Sequence, residues 1–117
     1  MGKDIVFIPS SQKDLQKLPI EVQEVFLHGL LLASEGDKHP DAKPLTGFHG
    51  AGVLEIRDNF KKDTYRAVYT TKLKTVIYVL HVFKKKSTIG ISTPKNDISL
   101  IKKRLKRAKE EYKKLGE

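Results

Sequence analysis

Arg57, Arg66, His81 and Lys85 have the most chemistry to offer in this chain, and all four fall in segments that read as β-strand. There is no cysteine, which removes thiol nucleophiles, disulfides and cysteine-based metal clusters. The four histidines, His28, His39, His49 and His81, lack the paired spacing of a metal site, so no metal is expected. What remains is a set of fixed cations and one candidate imidazole. Fixed cations suit chemistry at phosphorus, where charge grows on the oxygens in the transition state. Arginine suits it best, with paired planar donors and a permanent charge.

The charge distribution points to the same class of partner. Net charge is +9 over 117 residues. Up to Phe83, eleven Lys and Arg face ten Asp and Glu; from Lys84 onward, twelve face four. A field of one sign on one region draws in polyanions, with a strong dependence on salt. Nucleic acid is therefore favoured over a merely solubilising face, an acidic protein or a membrane surface. No apolar run approaches the ~20 residues that span a bilayer. Met1-Gly2-Lys3-Asp4 does not lead into the apolar stretch of a signal peptide. The expectation is a single cytoplasmic domain over residues 1–117 with no cofactor.

The elements that must position these side chains can be read in order. Ile5 to Ile8 is a first strand, ended by Pro9. Ser10 and Ser11 can cap a helix carrying Leu15 and Leu18, and Pro19 separates it from a second helix over Ile20 to Ser34. Glu35 to Pro44 is a loop, followed by glycines at 47, 50 and 52. Val53 to Arg57 and Thr64 to Thr70 alternate as strands, joined by a short polar connection. Thr75 to Phe83, β-branched and aromatic throughout, is expected at the centre of the sheet. Thr93 and Pro94 then start a helix whose stripe, Ile98, Ile101, Leu105, Ala108, Tyr112 and Leu115, has helical spacing. That stripe can dock on the sheet or on a partner helix. The fold expected is α+β: an N-terminal helical hairpin on one face of a small, mainly antiparallel sheet, with a C-terminal helix. Alternation turns Arg57, Arg66, His81 and Lys85 away from the core, and Leu54, Ile56, Leu80 and Val82 towards the helices.

The motifs Lys43-Pro44-Leu45, Leu54-Glu55-Ile56-Arg57, Tyr65-Arg66-Ala67-Val68-Tyr69 and Val79-Leu80-His81-Val82-Phe83-Lys84-Lys85-Lys86, followed by Thr93-Pro94, occur in that order. Together they resemble the RelE/HigB superfamily of toxins, and its phage-derived HigB-like branch in particular. The likeness runs from about Phe7 to Tyr112. It implies a RelE-like fold and an endoribonuclease that cuts mRNA on the ribosome, with a cognate helix-turn-helix antitoxin as partner. Arg57 and Arg66 match basic strand positions of the RelE-like site, and Lys84 and Lys85 match the basic pair that ends its last strand. Cleavage of this kind needs the 2′-hydroxyl deprotonated, the phosphate neutralised and the 5′-oxygen protonated. RNA contacts are expected from Lys84 and Lys86, and from Lys102, Lys103, Lys106 and Arg107 on the last helix.

Several assignments have a second reading. Arg57 can simply pair with Glu55 or Asp58. His81 is either a satisfied core histidine or an acid/base group, and His49 is a weaker candidate. The family's tyrosine after the basic pair is missing, since Ser87 to Thr93 contain none. Nor does the sequence offer the Glu/His pair of secreted microbial ribonucleases. The general base is therefore open between His81 and a lysine of lowered pKa. A non-catalytic nucleic-acid-binding module is the alternative function, and an interaction protein for an acidic partner is a third.

Overall fold

The strand segments Val53–Phe60, Asp63–Thr70 and Val76–Lys85 carry apolar residues at both parities, so both faces of the sheet have to be covered. The computed structural model describes residues 2–48, 50–85 and 93–116. Its elements run β1 (Asp4–Phe7), α1 (Pro9–Gln16), α2 (Ile20–Ser34), β2 (Ala42–Pro44), β3 (Val53–Phe60), β4 (Asp63–Thr70), β5 (Val76–Lys85) and α3 (Lys95–Lys114). The strands form one sheet in the order β1-β5-β4-β3-β2. β1 runs parallel to β5, and the other neighbours are antiparallel. The α+β class, the helical hairpin and the C-terminal helix are as the sequence implies.

The hairpin of α1 and α2 covers one face. Leu15, Val22, Phe26, Leu30 and Ala33 pack there on Ile56, Tyr65, Ala67, Tyr69, Ile77, Val79 and Val82. Gly29 lets α2 approach closely, since a Cβ at that position would collide with Ile56. The opposite face is covered by α3, whose Ile101, Leu105, Ala108 and Tyr112 pack on Val53, Val68, Val76, Tyr78 and Leu80. Tyr112 is fixed there by its hydroxyl, which accepts the Lys74 N–H at 3.0 Å. The stripe of the last helix thus docks on the sheet. A one-sided sheet, the sequence expectation, is overturned by this second core.

Other differences have local causes. Ala42–Pro44 pairs with β3 as a short edge strand, although Gly36, Pro40 and Pro44 among charges read as a loop over Glu35 to Pro44. β5 is second from one edge, and β4 holds the centre. Val68 pairs with His81 but Tyr69 with Val79, so Leu80 is an extra residue in β5. That bulge puts Leu80 in the α3-side core while Val82 stays under the hairpin. Neither expected cap forms. The N-caps are Ile8 and Pro94, with no side-chain cap bond. Ser11 lies inside α1 with its hydroxyl within bonding distance of the Ile8 and Val79 carbonyls.

Candidate active site

The register of three strands lays out the site. On the α3 side of the sheet, Glu55, Val68 and His81 form one row across β3, β4 and β5. Arg57, Arg66 and Phe83 form the next, and Asn59, Thr64 and Lys85 the third. Arg57, Arg66, His81 and Lys85 do share one face, in adjacent rows. That face is not open to solvent as strand alternation alone suggests. Arg66 is only 1% exposed and Glu55 2%, while His81 and Lys85 are also buried.

Glu55 holds the two arginines together. Its Oε1 is 3.3 Å from Arg66 Nη1, and its Oε2 accepts from Arg57 Nη2 at 3.1 Å. The Thr93 hydroxyl accepts from Arg66 Nη1 at 2.7 Å and reaches Glu55 Oε1 at 3.5 Å. Thr93, expected as a helix cap, instead covers the arginine pair. Burial is the main force lowering the Arg66 pKa, and Glu55 opposes it. The Arg57 side chain is 29% exposed, and its Nε is buried without a hydrogen-bond partner among the described residues. Lys85, one row further, has its pKa lowered by burial and then by Arg66 and Arg57, again opposed by Glu55.

His81 is engaged on both ring nitrogens. Nε2 lies 2.8 Å from Asp97 Oδ1, and Nδ1 is 3.3 Å from Arg104 Nη1, which also donates to the Leu80 carbonyl at 2.8 Å. These partners select the tautomer with the proton on Nε2, because Arg104 can only donate. The ring stacks on Phe83 at 4.4 Å. Burial pushes the His81 pKa down, Asp97 pulls it up and Arg104 pushes it down. Of the two readings, the geometry matches a satisfied histidine that pins the first turns of α3. A Glu/His pair does exist in space, since Glu55 and His81 flank Val68, but each is held by other partners. Glu55, Asp97 and Arg104 are the residues that sequence reasoning undervalued. The signal for Glu55 was its place two residues from Arg57 on the same strand face.

The remaining candidates that the structure describes lie outside this cluster. Lys84 is exposed and pairs with Asp63 at 3.2 Å. Lys102, Lys103, Lys106 and Arg107 line the exposed side of α3, with Arg107 3.5 Å from Glu111. Lys86 and His49 fall outside the described residues. Among the described residues no helix is long and apolar enough to cross a membrane.

The phage-derived Gp49-like protein family matches residues 13–106, a span that holds all three rows and the first turns of α3. The chain belongs to the Gp49-like family. No curated protein matches it in sequence. A double mutant of the E. coli toxin RelE in its free state matches with a TM-score of 0.63 at 23% identity, covering 89% of this chain and 98% of that one. The Gp49-like chain therefore has the RelE fold. The RelBE2 toxin–antitoxin complex of Mycobacterium tuberculosis matches with a TM-score of 0.49 at 21% identity, covering 74% and 95%.

Two outcomes follow from the geometry. Glu55→Gln removes the carboxylate shared by the buried Arg66 and the partly exposed Arg57 and is expected to cost about 3 kcal/mol. Asp63→Asn, which breaks an exposed pair, should cost under about 1 kcal/mol; urea denaturation of both variants gives the comparison. The second concerns pH. Unfolded His81 titrates near 6.5, and the folded value lies below it. Between the two, the unfolded chain carries a proton that the folded chain does not, so stability rises with pH and is complete above about 6.5. Stability should fall on acidification by at most about 1.4 kcal/mol per unit from this group. His81→Gln should remove that part of the pH dependence, and an undiminished slope would place it elsewhere.

Proposed function

We propose that this chain is the toxin of a toxin–antitoxin pair, an endoribonuclease that cleaves mRNA at the ribosome in the cytoplasm. A cognate antitoxin, of helix-turn-helix type, holds it in check. The carrying observation is that the nine positions of the three rows contain Arg57, Arg66 and Lys85 against one carboxylate, Glu55. Membership of the Gp49-like family and the RelE fold support the same reading.

In this reading the scissile phosphate docks at the exposed edge of the cluster, beside Arg57. The partly exposed Arg57 guanidinium meets it there. Arg57 and Arg66 then neutralise the charge that develops on the phosphate oxygens. Lys85 is the candidate base, because a lysine of lowered pKa is more often neutral and able to take the 2′-hydroxyl proton. The 2′-oxygen attacks phosphorus, a cyclic phosphate forms as the bond to the 5′-oxygen breaks, and the 5′-oxygen leaves with a proton taken from water. His81 acts indirectly, by fixing α3 over the arginines. The α3 cations Lys102, Lys103, Lys106 and Arg107, with Lys84 and Lys86, supply affinity for RNA phosphates. Glu55 and His81 are each held by other partners among the described residues, and in this reading the ribosome aligns the RNA.

The burial of Arg66 and Lys85 favours a second reading, a non-catalytic nucleic-acid-binding module. Cleavage separates the two. Arg66→Ala would remove a buried partner of Glu55 and so weaken the fold, which makes Arg66→Lys and Arg57→Ala the better variants. Each is expected to lower mRNA cleavage on translating ribosomes by about 100-fold or more while still binding RNA. Full cleavage by well-folded Arg57→Ala and Arg66→Lys would overturn the proposed site. No cleavage by the wild type would leave the binding module.

A further inference from the structure

The hairpin joining β3 and β4 turns on Lys61 and Lys62, between the paired residues Phe60 and Asp63. Both lysines have positive φ, 47° and 72°. A two-residue turn with both angles positive matches the twist of its strands, but it favours Asn-Gly because those residues tolerate left-handed backbone. A long side chain with a Cβ is strained there. Both lysines are exposed. Among the described residues, the contact of either ammonium is Lys61 Nζ over the Phe60 ring at 5.3 Å. Packing therefore gives no reason for lysine at either position.

The tip does continue the charge of the active-site face. The row Asn59, Thr64 and Lys85, on the same face as Arg57 and Arg66, is the last before the turn. Arg57 is four residues from Lys61, about 13 Å along a strand that rises ~3.3 Å per residue. An extended RNA docked at Arg57 can therefore run along the hairpin and place a neighbouring phosphate at its end.

We propose that Lys61 and Lys62 form a phosphate-binding tip that holds the RNA backbone next to the segment seated at Arg57 and Arg66. The inference rests on the RNA-cleaving reading above and extends that site. The ligand is the backbone of single-stranded RNA, recognised by charge without regard to base. Strain is retained at the turn because the relaxed sequence would carry no cation.

The test uses a uridine oligonucleotide with 2′-O-methyl ribose, which lacks the attacking hydroxyl. Its affinity is measured across a salt series for the wild type, for Lys61→Asn with Lys62→Gly, and for Lys17→Gln with Lys38→Gln as an equal loss of charge. The turn variant should fold more stably, by about tenfold in the folding equilibrium. It should also bind more weakly, with the slope of log affinity against log salt shallower by about 1.4, from two contacts at about 0.7 each. The control should change neither property appreciably. An unchanged slope in the turn variant, a loss of stability in it, or an equal effect in the control would each overturn the tip assignment while leaving the Arg57–Arg66 site standing. A wild type with no salt-dependent binding would overturn the functional reading itself, and the tip with it.

Discussion

The carboxylate of Glu55 is held out of water between two guanidiniums, and the polar face of the sheet is arranged around that contact. A buried carboxylate is costly unless it is paired and hydrogen-bonded. Here the two oxygens engage arginines on neighbouring strands, Arg57 beside it on β3 and Arg66 on β4. The strand register is what makes this possible, because Arg57 and Arg66 are direct partners and Glu55 stands one row away. The same contact leaves the cluster with an excess of positive charge, since Lys85 adds a third cation in the following row.

The cluster is tied to α3 at two points. Thr93 bonds Arg66 just before the helix begins, and Asp97 and Arg104 grip His81 from its first turns. Arg104 also satisfies the carbonyl of the bulge residue Leu80, so the irregular part of β5 is held by the helix that covers it. The polar groups of the site are therefore structural parts of the α3-side interface. In such an arrangement, substitutions at the site move stability and function together, and Arg57, at the partly exposed edge, separates the two best.

Much of this was legible in the sequence. Tyr65 and Ala67 fix the inward face of β4, which obliges Arg66 to stand on the other side, and the same period of two placed Arg57, His81 and Lys85 with it. The helical spacing from Ile98 to Leu115 announced that α3 buries a stripe, but not on what. Because that stripe lands on the arginine side, outward side chains became buried ones. The bulge at Leu80 was hidden because Thr75 to Phe83 is apolar or β-branched at nearly every position and carries no alternation to break. Glu55 looked like a local partner for Arg57, since its contact with Arg66 depends on cross-strand register. Thr93 looked like a cap for the same reason: its true partner is 27 residues away.

The central claim is that the Arg57, Arg66 and Glu55 cluster is where RNA phosphate is received. The most direct measurement follows the arginine side-chain NMR signals of the intact chain while the 2′-O-methyl oligonucleotide is added. The account predicts saturable shifts of the Arg57 Nε and Arg66 guanidinium signals, with Arg57→Ala weakening the binding that produces them. Saturable binding that leaves both arginines unmoved would contradict it.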